Sequence, residues 1–398
     1  MQLECHRAEG RVLSASYPAC RSYALSFRES DFPILNLRLK FRVNNDVSAQ
    51  SFGAELEMND MTRPFSNLLE FEEILKSAGG PDLKALGEAK ARNGQLTKPP
   101  GALGRLENLA IWYAGWRGEA APKIDAPQVV VFAGNHGVAT LGVSAFPAEV
   151  TEQMVLNFQR GGAAINQLCQ TFGAELDVIA LELENPTADF TAGAAMSETE
   201  VVAALVVGWE AVNPDADLLV TGEMGIGNTT SAAAICHALF DGEAEDWVGR
   251  GTGVDDAGLL LKAQVVREGL AANPEAAKNG LQALRCLGGR EVAAMAGAVA
   301  AARFYGIPVV IDGFICTAAV ACLAVVCEGA LDHAVAGHQS QESAHTTALQ
   351  ALGKEPILSL NLRLGEGSGG ALAIGIMKAA LACHSGMATF AEAGVSEG

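Results

Sequence analysis

At 398 residues the chain is long enough for one large core with a smaller satellite, and 49% hydrophobic against 18% charged residues is the balance of a folded α/β protein, not a disordered one. A formal net charge of -19 repels phosphate backbones and anionic lipid, which sets nucleic acid and membrane surfaces aside as partners. A small anionic ligand remains compatible with that field, because backbone N–H groups and a lysine act at short range.

Residues 1–57 stand apart. They carry Arg7, Arg11, Arg21, Arg28, Arg38, Lys40 and Arg42 in an otherwise acidic chain and show no sustained period. This stretch reads as a disordered extension or an over-long start, with Met58 or Met61 as the functional one. Glu4, Glu9, Glu29 and Asp31 argue against a transit peptide, and charges interrupt any secretory apolar run. From Phe65 to Trp116 the pattern is helical, broken at Lys98-Pro99-Pro100-Gly101; residues 58–125 are expected to belong to a small helical domain.

Apolar strand candidates then alternate with helices. Strands are expected at Gln128–Ala133, Glu175–Leu181, Ala216–Thr221, Ile307–Ile311 and Ile357–Leu362. Helical patterns cover Val150–Thr171, Ser231–Phe240, Asp255–Ala272, Glu291–Tyr305 and Gly370–Cys383. Continuous apolar strands separated by helices predict a parallel sheet covered on both faces, here over residues 126–370, with 371–398 returning to the small domain. The run from Gly313 to Cys327 is 15 residues long, too short to span a bilayer, and predicts a buried helix. The nine cysteines are scattered, with no C-x-x-C pair, and read as buried thiols of a cytoplasmic protein.

In an open parallel sheet, ligands bind beyond the carboxyl ends of the strands. Polar residues set in glycine recur at those ends: Gly134-Asn135-His136-Gly137, Gly222-Glu223-Met224-Gly225, Asp312-Gly313 and Gly365-Glu366-Gly367. Gly225-Ile226-Gly227-Asn228-Thr229-Thr230 leads into a helix, and such a turn offers N–H groups and a positive helix end to a phosphate; an ordinary capped helix start explains it equally well. Gly249-Arg250-Gly251-Thr252-Gly253, with Lys262 beyond it, is a second candidate anion loop. Glu366 is flanked by small residues that leave its carboxylate open to a ligand, although it could instead cap the helix that follows. His338, Glu342 and His345 fall at a spacing that would place three polar groups on one helical face, but the sequence offers no third close ligand and no metal is expected.

Taken in order, Lys98-Pro-Pro-Gly-Ala-Leu-Gly-Arg105-Leu106-Glu107, Asn135-His136-Gly137-Val138, Gly142-Val-Ser-Ala-Phe-Pro147, Gly222-Glu-Met-Gly-Ile-Gly-Asn-Thr-Thr230, Asp312-Gly-Phe314 and Arg363-Leu-Gly-Glu-Gly-Ser-Gly369 resemble the motifs of the nicotinate-nucleotide–dimethylbenzimidazole phosphoribosyltransferase family. The resemblance runs from about residue 65 to 395. It implies a Rossmann-like α/β domain, a small helical domain built from both chain ends, and a homodimer. It implies transfer of ribose 5-phosphate from nicotinate mononucleotide to 5,6-dimethylbenzimidazole without a cofactor. By the same resemblance Glu366 is the catalytic base and Glu223 an organising carboxylate. Gly225, Gly227, Asn228, Thr229, Thr230, Gly251, Gly253 and Lys262 hold phosphate, with Asp312 and Ser340 toward the ribose. Phe146, Met154, Met224 and Leu364 surround the base. Asn135 stands where many relatives carry Asp and is left out of the catalytic set. Two alternatives stay open: the same scaffold with adenine, another benzimidazole or a phenol as acceptor, and a non-catalytic nucleotide-binding regulator.

Overall fold

The computed structural model describes residues 12–17, 20–26 and 63–396, apart from 252. Within residues 1–57, all expected to be a disordered or over-long extension, strands β1 (Val12–Tyr17) and β2 (Cys20–Ser26) instead pair antiparallel within a separate unit, and the rest of that stretch lies outside the described residues.

The remainder forms one compact unit around a six-stranded, all-parallel sheet. Its strands are β3 (Pro127–Ala133), β4 (Glu175–Ala180), β5 (Leu218–Met224), β6 (Val309–Ile311), β7 (Ala334–Gln339) and β8 (Pro356–Ser359), in the order β4-β3-β5-β6-β7-β8. The expected strands are all present, and β7 is an addition. Alternation along the central strands divides the core. Val130, Phe132, Leu219, Val309 and Ile311 face one apolar cluster; Val129, Val131, Leu218, Val220 and Val310 face the other. Helices cover both faces, because each face of a buried parallel strand must be sealed from water. The chain leaves β3 for β4 on one side and returns to place β5 on the other. The order therefore reverses between β3 and β5, which opens a crevice at their carboxyl ends.

The single helix expected over Val150–Thr171 is two, Glu149–Gln159 and Ala164–Phe172, separated at Gly161 and Gly162. The apolar run after Asp312 forms the buried Phe314–Val326 helix. Helices Leu68–Ser77, Leu83–Gln95 and Arg105–Arg117 occupy the N-terminal part. Arg92 ties this part to the chain's other end, donating to the carbonyls of His384, Ser385 and Met387. The expected boundary at 370 falls inside the Ser368–Gly386 helix, whose Ala371, Ala373 and Ile374 pack in the same cluster as the sheet.

The Arg290–Tyr305 helix is buried along nearly its whole length and ends at left-handed Gly306. It crosses the Glu198–Ala211 helix at backbone contact: a Cβ on Gly297 would stand 2.1 Å from the Leu205 carbonyl oxygen. Gly297→Ala should therefore destabilise the protein by about 1–3 kcal/mol through overpacking. Gly87→Ala, in a helix with nothing within 4 Å of the new methyl, should stabilise it by up to about 1 kcal/mol. Urea unfolding midpoints that move the same way for both substitutions would contradict this account of the crossing.

Candidate functional site

The crevice collects the sequence-selected carboxylates. β5 runs on to Met224, three residues beyond the end expected from the sequence, so Glu223 lies within the strand and is 7% exposed. Its Oε2 accepts from Asn228 Nδ2 at 2.5 Å. Burial, reinforced by the charges of Asp312, Glu291 and Glu366, pushes this carboxyl up to about 8 despite the Asn228 bond.

Glu366 sits in a turn of unusual backbone. Gly365, Glu366 and Gly367 have φ of 81°, 63° and 84°, three consecutive left-handed residues. A side chain in that region is strained, and residues held so concentrate at functional sites. The turn rests directly on β5, where a Cβ on Gly222 would meet the Glu366 carbonyl oxygen at 2.5 Å. Glu366 does not cap the following helix; Gly367 holds the N-cap position. Its side chain is buried, with the residue 4% exposed, and Oε2 has no partner among the described residues. Burial pushes the group up to about 7, with the Ile165 N–H pulling down and Asp312 pushing further up.

The two glycine loops meet at Lys262, which is 1% exposed and donates to Thr229 Oγ1 and to the Gly249 carbonyl, both at 3.0 Å. Burial lowers the lysine to about 8, against an opposing pull from Glu342. Gly225 and Gly227 shape the turn into the Asn228–Leu239 helix, and Thr230 Oγ1 is buried without a partner among the described residues. Asn228, expected at the phosphate, turns instead to Glu223. Gly251 donates its N–H to Glu342 Oε1 at 3.0 Å, and Gly253 closes a turn onto the Arg250 carbonyl at 2.8 Å.

Asp312 and Ser340 lie beyond the ends of β6 and β7. Asp312 Oδ1 accepts from the Gly370 N–H at 2.8 Å. Ser340 directs both N–H and Oγ toward His345 Nδ1, at 3.0 and 2.9 Å. Met154 and Met224 are half-buried against one apolar cluster, whereas Phe146 and Leu364 are 50% and 59% exposed. The helical face expected for His338, Glu342 and His345 does not exist. His338 belongs to β7, Glu342 is the N-cap of the Ser343–Ala351 helix, and only His345 lies within it. One pair escaped sequence reasoning: His136 Nε2 stands 2.5 Å from Glu291 Oε1, both buried. A lone carboxylate after Gly288-Gly289 at the start of an alanine-rich helix was the available signal. Asn135 donates to the Leu183 carbonyl at 2.9 Å, a bond that an ionised Asp could not make. Cavities of about 400 and 350 Å³ lie along β7 and β8 and include none of the candidate residues.

A phosphoribosyltransferase family model matches residues 79–395. The nicotinate-nucleotide–dimethylbenzimidazole phosphoribosyltransferase of Ruegeria pomeroyi is 68% identical over 338 residues, 85% of this chain and 100% of that protein. The protein of the same name from Mesorhizobium japonicum is 55% identical over 335 residues, 84% of this chain and 99% of its own length. Among solved structures, CobT from Thermus thermophilus matches with a TM-score of 0.74 and 41% identity, covering 79% of this chain and 100% of that one.

The electrostatics of the crevice can be tested without any ligand. Glu223 binds its proton more tightly folded than unfolded, so between its ordinary value near 4.5 and about 8 the folded state holds more protons. Stability from this group is then lost as pH rises through that window. Glu223→Gln removes the loss while keeping an oxygen for Asn228. Its melting temperature relative to the native protein should climb from about pH 5 to about pH 9; a constant difference across that range would refute the buried, proton-holding carboxyl.

Proposed function

The chain belongs to the nicotinate-nucleotide–dimethylbenzimidazole phosphoribosyltransferase family, and from that premise we propose that it transfers the 5-phosphoribosyl group of nicotinate mononucleotide to 5,6-dimethylbenzimidazole, giving α-ribazole 5′-phosphate and nicotinate. The observation that carries this reading is the Glu366 carboxylate, buried, unpartnered at Oε2 among the described residues and held in a left-handed turn at the sheet's ligand-binding edge.

The chemistry asks little else of the protein. The nicotinate of the nucleotide is a pyridinium, so when the C1′–N bond breaks its electron pair returns to the ring nitrogen and no acid is needed. One benzimidazole nitrogen attacks C1′ from the opposite face, which turns a β linkage into α. The other nitrogen's proton goes to Glu366. A group near 7 is divided between its two forms at neutral pH, which suits a base that must take a proton and release it again. Glu223, near 8, is mostly protonated there and organises the crevice through Asn228. We assign the 5′-phosphate to the loops around Lys262, the ribose to the Ser340 side, and the aromatic acceptor to Met154, Met224, Phe146 and Leu364.

The likeness to the family also supports a homodimer, which a molar-mass measurement by light scattering would test. Seven described cysteines are free, five of them buried, as suits a reducing cytoplasm. No described helix is long and apolar enough to cross a membrane.

Mass spectrometry of the product from nicotinate mononucleotide and 5,6-dimethylbenzimidazole tests the activity; adenine or a phenol in the product from mixed acceptors would redirect it. Glu366→Gln keeps size and hydrogen bonding but cannot take a proton, so turnover should fall by about 10²–10⁴-fold with nucleotide affinity nearly unchanged. The native acid limb should lie near pH 7, activity being lost below it as Glu366 protonates. Near-normal turnover in the Gln variant would transfer the role to Glu223. Lys262→Ala should weaken nicotinate mononucleotide binding by about 10- to 150-fold, the worth of a hydrogen bond to a charged group, and leave benzimidazole binding alone. Equal weakening of both ligands would remove the lysine from the phosphate site.

A further inference from the structure

The Ser368–Gly386 helix begins directly after the Glu366 turn, and it lacks a side-chain cap of its own. Gly367 at the N-cap has no side chain to offer, and the turn's other glycine, Gly365, has none either. An uncapped helix start leaves backbone N–H groups without partners, which is costly when buried. Here the missing acceptor comes from 58 residues away in the chain: Asp312 Oδ1 takes the Gly370 N–H at 2.8 Å, in the helix's first turn. Asp312 is 1% exposed. The same oxygen lies 3.3 Å from His338 Nε2. The His338 ring is in turn pressed against the helix start, since a Cβ on Gly369 would come within 2.0 Å of its Cδ2.

We infer that Asp312, backed by His338, is a positioning residue for Glu366: it caps from outside the helix that anchors the Glu366 turn, and it brings a second buried carboxyl group to that helix start. The inference rests on Glu366 being the base. It departs from the ribose-side role that the family resemblance implies for Asp312.

The neighbourhood allows the two parts of this role to be separated. Facing Asp312 are His338 from β7, His345 from the Ser343–Ala351 helix, Cys316 from the Phe314–Val326 helix, Glu223 from β5, and Glu366 itself. Facing Glu366 are Asp312, Glu223 and the Ile165 N–H at the start of the Ala164–Phe172 helix. Asp312 raises the proton affinity of Glu366, second to burial among the raising causes. Asp312→Asn keeps an oxygen for Gly370 and removes the charge. Asp312→Ala removes both.

The test is a pH profile of kcat with KM for each substrate, for both variants alongside Glu366→Gln. Asp312→Asn should keep its plateau kcat within about threefold, because the geometry is retained, while the acid limb moves to lower pH. Asp312→Ala should lose about 10- to 100-fold in plateau kcat, the scale of a misplaced catalytic group, with its acid limb displaced as in the Asn variant and KM for nicotinate mononucleotide within about twofold. An acid limb that stays in place in the Asn variant overturns the inference. So does a KM for nicotinate mononucleotide raised about tenfold or more in both variants, which would make Asp312 a ribose ligand. If Asp312→Ala does not fold, the limb position in Asp312→Asn decides alone. Loss of the base assignment is read separately: Glu366→Gln would then keep its turnover, whatever Asp312 does.

Discussion

Four carboxylates, Glu223, Glu291, Asp312 and Glu366, are buried around one crevice, and none of them pairs with a lysine or arginine among the described residues. Taking a carboxylate out of water is expensive unless it is paired, hydrogen-bonded or protonated, and like charges nearby raise the cost. Each acid meets this constraint differently. Glu291 has the His136 ring at 2.5 Å. Asp312 has a helix N–H and the His338 ring. Glu223 has Asn228 and, at neutral pH, mostly its own proton. Glu366 has the Ile165 N–H, with Oε2 unpartnered among the described residues as Glu291 Oε2 also is, and burial raises it to about 7, so near neutral pH it is divided between its two forms. It is to this acid that we assign the role of base.

The fold makes that crowding possible through strand order and missing side chains. Reversal of the sheet order between β3 and β5 opens the crevice that takes the loop after β3 and the end of β5. The absence of a Cβ at Gly222 and Gly365 lets the Glu366 turn lie on β5 within reach of Glu223, whose Oε1 would be 2.3 Å from a Cβ on Gly365. The dry walls on either side are the two apolar clusters, and they are what shift the proton affinities of Glu223 and Glu366.

The parts of this arrangement that were legible in the sequence are those carried by local pattern. β3 and β5 read as strands because their valine and leucine runs are buried on both faces. Glu366 and Glu223 stood out because glycine surrounds them, and the Lys262 loops because glycine recurs near one lysine. β7 escaped because Ala334-Val335-Ala336-Gly337-His338-Gln339 has little apolar bulk and a polar end. Gly161-Gly162 was too short an interruption to outweigh the helical pattern on either side, yet it divides two helices. His136 with Glu291 and Asp312 with Gly370 are separated by 155 and 58 residues, and only the folded sheet brings such partners together. Histidine spacing misled for the same reason: a helical period was applied across a strand, a turn and a helix start.

The left-handed backbone at Glu366 sets its proposed role as base against stability. A residue with a Cβ is strained there, and its carboxylate is buried with an oxygen unbonded among the described residues, two costs that the turn carries together at this one position. Glycine on either side relaxes into the same geometry without strain. Glycine at this position would relieve both costs while removing the carboxylate, so it should make the protein harder to unfold. The strain at one backbone position is thus the cost of keeping a carboxylate there.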